Sequence, residues 1–111
     1  MRRILLCVAM LALLMPGLAA ADGDTVVIEM VNNSFKPDEL EITAGTTVRW
    51  VNMERRTSHD VFFPDEEVAS ERLFPEEYFE RRFDEPGTYE YHCRPHEDRG
   101  MHGVIRVIAK D

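Results

Sequence analysis

The chain has 111 residues, enough for one small domain, with 21 acidic residues against 13 lysines and arginines and a formal net charge of −8. That excess of negative charge argues against nucleic acid and anionic membrane surfaces as partners, because both repel it. Cysteine occurs twice, at Cys7 and Cys93, and the two positions have different fates.

Arg2 and Arg3 precede the apolar run Ile4 to Leu14, which is followed by Pro16 and the small-residue stretch Gly17 to Ala21. A positive start, an apolar centre of about 7–15 residues and a small-residue exit describe a secretory signal peptide. Stable membrane insertion is not expected, since a spanning helix needs roughly 20 apolar residues. The expectation is a cleaved leader over residues 1–21, with the cut near Ala19 to Ala21. Residues 22–111 then form a single domain in the periplasm or another exported compartment. Cleavage removes Arg2, Arg3 and Cys7, leaving a more acidic chain with Cys93 as its lone thiol. No intrachain disulfide can form, and in an oxidising compartment such a thiol needs an occupant.

Beyond the leader the pattern is all-β. Val26, Ile28 and Met30 alternate with Val27, Glu29 and Val31; Leu40 and Ile42 alternate with Glu39 and Glu41. After a turn at Ala44-Gly45, Thr47, Arg49 and Val51 alternate with Val48, Trp50 and Asn52. Further strands are expected over His59 to Phe63, Tyr78 to Phe83, Gly87 to Cys93 and Gly103 to Ala109. Turn signals stand at Asn32-Asn33, Pro37-Asp38 and Pro86-Gly87. Asp65 to Pro75 breaks the rhythm and reads as a helical turn or a loop. Short strands at regular spacing predict a β-sandwich.

The chemistry lies in Tyr91-His92-Cys93-Arg94-Pro95-His96 and the following residues to Met101. Cys93, His96 and Met101 offer a thiolate, an imidazole and a thioether from the loop between the last two strands. This soft set suits copper, and two histidines with a cysteine and a weak axial methionine make the blue-copper arrangement. His59, opening a strand, is the best second imidazole. Parity excludes the others: if Cys93 points inward then His92 points out, and His102 shares the outward parity of Arg106. A structural zinc site would need four nitrogen or sulfur ligands, and methionine is not among them. A nucleophilic Cys93 would leave Met101 without a role. The expected metal ligands are therefore His59, Cys93, His96 and Met101.

With those residues in view, the chain resembles the cupredoxins of the plastocyanin, pseudoazurin and amicyanin group. The likeness runs through Phe35-Lys36-Pro37, Leu40-Glu41-Ile42, Gly45 to Asn52, His59-Asp60, Phe83, Pro86 to Tyr91 and the copper loop. Tyr-His-Cys-x-Pro-His is most similar to amicyanin, whereas the four-residue gap from His96 to Met101 resembles plastocyanin and pseudoazurin. Asp60 stands where many relatives carry asparagine; an ionised carboxylate there is expected to favour Cu(II) and lower the potential. The resemblance implies a cupredoxin-like Greek-key β-sandwich with one type 1 copper at one end. It implies a monomeric electron carrier rather than an enzyme, meeting redox protein donors and acceptors at the His96 face. A copper-binding protein for delivery or storage is the alternative, with nearly the same ligands. The acidic stretch Asp65 to Glu90, set against Arg55, Arg56, Arg94 and Arg99 at the copper end, reads either as an orienting dipole for docking or as solvated charge.

Overall fold

The computed structural model describes residues 24–111, so the expected leader over residues 1–21 lies outside the described residues. Strand β1 (Thr25–Val31) buries Ile28 and Met30 while Val27 and Glu29 stay exposed. It turns through Asn32 and Asn33, whose φ angles of 57° and 54° are ones asparagine tolerates, into β2 (Ser34–Lys36). Strand β3 (Glu39–Thr43) leads through Ala44 and Gly45 (φ 101°) into β4 (Thr46–Asn52). Thr46, Val48, Trp50 and Asn52 on β4 are all fully buried. The chain continues through β5 (Phe62–Phe63), β6 (Val68–Ala69), β7 (Tyr78–Phe83), β8 (Gly87–His92) and β9 (His102–Ile108).

The strands form two sheets in the orders β2-β1-β4-β7 and β3-β9-β8-β5-β6. The pairs β1/β4 and β3/β9 are parallel and the rest antiparallel. Parallel neighbours cannot be joined by a hairpin, so the chain crosses between the sheets and closes a sandwich. Trp50 sits at the centre, with the rings of Tyr91, Phe79 and Phe63 at 5.4, 5.7 and 6.0 Å. Burying such aromatic surface from both sheets is the main cohesive force.

Two expectations need correction. The strand foreseen over His59 to Phe63 shrinks to β5, with His59 in an isolated bridge to Leu73. The reason lies in the backbone donors: Asp60 N–H points at Cys93 Sγ (3.4 Å) and Val61 N–H at Ser70 Oγ (3.0 Å), so neither joins a ladder. The Asp65 to Pro75 stretch holds a turn, with Glu67 at φ 58°, and then the two-residue β6 paired to β5. Strands as short as β2 and β6 show no periodicity in the sequence.

The guanidinium of Arg81 lies over Phe63 and Phe83 at 4.5 and 4.6 Å and donates two bonds to Glu66, at 2.9 and 2.8 Å. Those bonds hold the Glu66 carboxyl below its ordinary value. A depressed carboxyl stabilises the fold above its unfolded pKa and ceases to do so as pH falls through the folded one. The pair is solvent-exposed, so Glu66→Gln should cost about 0.5 kcal/mol at neutral pH. The difference from the parent in urea midpoint should close below about pH 4.

Candidate metal centre

Strand β8 delivers Cys93. Alternation carries Tyr91 and Cys93 inward, where both are buried, while Thr88 and Glu90 stay exposed. After Cys93 the chain enters a short 3-10 turn (Arg94–Arg99), with Pro95 at its start and Gly100 (φ 81°) as its left-handed cap. His96 N–H donates to Cys93 O (3.1 Å), and Cys93 N–H donates to Met101 O (3.0 Å). The turn therefore returns Met101, fully buried, to face Cys93 across the foot of the β8/β9 ladder.

His59 reaches the same point from the segment leading into β5, the strand beside β8, held by its backbone bonds with Leu73 (3.0 and 2.7 Å). Its Nδ1 lies 3.2 Å from His96 Nδ1 and 3.7 Å from Cys93 Sγ, and Cys93 Sγ lies 3.5 Å from His96 Nδ1. Among the described residues this is the one group of three histidine, cysteine or acidic ligand atoms lying within 4.8 Å of one another. A triangle with these sides has a centre about 2 Å from each corner, close to a metal–imidazole bond and a little short of a metal–thiolate bond. The two imidazoles and the thiol thus fit a metal ion in a trigonal plane, and the softness of sulfur favours copper. Burial pushes the Cys93 thiol up, opposed by backbone N–H groups of Asp60 and His96. Burial also pulls His59 down, helped by His96 and opposed by Glu54 and Asp60. A metal entering this cavity must expel the thiol proton, whereas His59 is already disposed to be neutral.

With Nδ1 facing the centre, the proton of His59 belongs on Nε2, which lies 3.8 Å from Glu54 Oε2. His96 is partly exposed, whereas His59, Cys93 and Met101 are not. The centre thus has a single partly open edge. His92 and His102 stay outside the triad: they pair with each other across β8 and β9, and His102 is exposed.

Two supporting residues were not assigned this role from sequence. Asn52 is fully buried; its Nδ2 donates to Thr57 O (2.8 Å) and Leu73 O (2.9 Å), and its Oδ1 accepts from Glu54 N (2.8 Å). These bonds tie the segments before His59 and opposite it, and a polar residue at an inward strand position was the available signal. Asn52→Ala should cost about 2–3 kcal/mol, because buried backbone groups lose their partners. Its metal affinity should fall as well, and chemical denaturation with a competitive chelator would read both. Arg94 is the other: its backbone N–H and Nε bind Asp60 Oδ1 and Oδ2 at 2.9 and 2.7 Å. Asp60 therefore accepts a bond from the loop after Cys93, but from a residue that also brings a compensating charge.

A two-sheet sandwich with a buried thiol and two imidazoles converging at one end defines a β-sandwich metalloprotein with a mononuclear centre. Residues 3–107 match the model of the cupredoxin-like domain, and the chain belongs to that family. It is 39% identical over 84 residues to a plastocyanin from Scenedesmus fuscus, covering 66% of this chain and 85% of that protein. It is 32% identical over 81 residues to an amicyanin from Paracoccus denitrificans, covering 68% and 60% of the two chains. A solved mutant of amicyanin, Cu(I), superposes with a TM-score of 0.68 at 32% identity, covering 80% of this chain and 86% of that one.

Proposed function

We propose that this chain is an exported, monomeric one-electron carrier with one type 1 copper bound by His59, Cys93, His96 and Met101. The observation that carries this reading is the triangle of two Nδ1 atoms and one Sγ with sides of 3.2 to 3.7 Å. Its likeness to plastocyanin and amicyanin supports it. Copper bound there supplies a one-electron couple between Cu(I) and Cu(II). The chain's part is to hold the donors in one arrangement: two strands fix Cys93 and Met101, and the Leu73 bridge and Asn52 fix His59. Buried surroundings keep water from His59, Cys93 and Met101, while His96 alone offers an edge for a redox partner. Met53 and Phe74, each about half exposed, sit on the segments bonded around His59 and add apolar surface at that end. We place the leader at residues 1–21 and the domain at 22–111.

Expression of the whole chain in a bacterium with a periplasm tests the reading. The purified protein should begin near Asp22, bind one copper, turn blue when oxidised and show a reversible one-electron wave. A colourless copper protein without a reversible wave would favour delivery or storage instead.

A further inference from the structure

Three ligands of the inner centre each have a chain neighbour able to bind metal: His92 precedes Cys93, Glu97 follows His96 and His102 follows Met101. Neighbours in extended chain point to opposite faces, so the strands that aim Cys93 and Met101 inward aim His92 and His102 away from the core. Those two histidines are direct partners in the β8/β9 register. The bond from Cys93 N to Met101 O makes the next pair along hydrogen-bonded, so His92/His102 is a non-hydrogen-bonded pair, the closer kind. Their ring centroids are 6.1 Å apart. Glu97, reached over the 3-10 turn, places Oε1 3.5 Å from His92 Nε2.

The surroundings favour a cation. His92, His102 and Glu97 share a groove of about 390 Å³ with the carboxylates of Asp38, Glu39 and Glu90, and none of its lining residues is lysine or arginine. Arg94 stacks on the Phe62 ring, against which His92 also packs, but its charge is taken up by Asp60. His92 is the preorganised member, wedged between Phe62 and Glu97 with its side chain 15% exposed. His102 is exposed beside it.

We propose that His92, His102 and Glu97 form a second metal site, on the outer face of the copper loop, for a borderline divalent cation of the zinc(II) class. Two imidazoles and one carboxylate leave a fourth position for water, and hard cations such as calcium are poorly served by imidazole. The outer site closes on binding, as His102 rotates to bring its ring nitrogen to the ion. It clips β8, the 3-10 turn and β9 together at the positions adjoining Cys93, His96 and Met101, and adds positive charge beside the inner centre. Occupancy therefore disfavours Cu(II) there and raises the potential of the inner centre.

The test is zinc(II) added to the copper-loaded mature chain, followed by calorimetry, imidazole NMR and voltammetry. One equivalent should bind with the blue colour retained, shifting the His92 and His102 ring signals and raising the potential. Loss of a merely supporting partner costs a metal site about 10–100-fold, so His92→Ala and His102→Ala should each weaken zinc binding at least about tenfold. His102→Ala, at an exposed position, should also remove the potential shift. Zinc binding unchanged in both variants, equal competition by calcium, or bleaching in step with zinc would each overturn the proposal. The outer imidazole signals report this site whichever metal fills the inner one, so its failure is separable from failure of the copper reading.

Discussion

Cys93→Ser is expected to abolish the blue absorption of the copper-loaded protein entirely. The band arises from thiolate and copper together, and a serine hydroxyl is a hard donor that hardly ionises near neutral pH. The substitution is nearly isosteric at a fully buried position, so the sandwich should persist while the colour is lost. His59→Ala should also bleach the protein, because it removes one corner of the triangle. Met101→Leu should keep a coloured centre and raise the potential, since a weak axial donor that favours Cu(II) is lost. Absorption spectra and voltammetry of the set decide. A blue Cys93→Ser protein, or one bleached by His92→Ala but not by His59→Ala, would overturn the ligand assignment.

The second large effect is expected at Asp60 and Arg94. Asp60 is 2% exposed, holds Arg94 N–H and Nε with its two oxygens, and its own N–H points at Cys93 Sγ. A carboxylate so placed was expected to favour Cu(II), yet the guanidinium at 2.7 Å offsets its field. Arg94→Ala should therefore lower the potential by leaving the carboxylate uncompensated. Asp60→Asn should keep an oxygen for the Arg94 N–H but raise the potential, because Arg94 then acts alone. Asp60→Ala removes both acceptors; because Arg94 is half exposed, the stability loss should be about 2 kcal/mol rather than that of a fully buried pair. Potentials of Arg94→Ala and Asp60→Asn that move the same way would show that the pair does not act through charge. The compensation also revises the docking picture: Arg94 adds little net charge to the copper end, and Arg55, Arg56 and Arg99 are left to give it any basic character.

Much of this molecule was legible in the sequence because the signals are local. The period of two in Val26 to Met30 and in Thr46 to Asn52 determined which side chains enter the core, since a strand has no other way to place them. The donor types and spacing of Cys93, His96 and Met101 pointed to a soft metal, because those three share one turn and hydrogen bonds within it bring them together. The meeting of His59 with that turn depended on the tertiary structure, because 34 residues separate it from Cys93 and only the pairing of β5 beside β8 supplies the contact. The same packing decided that β5 is short, that Asn52 serves the loops and that Asp60 finds Arg94. Each of these rests on a hydrogen-bond partner distant in sequence, and buried polar groups take whichever partner the assembled fold presents.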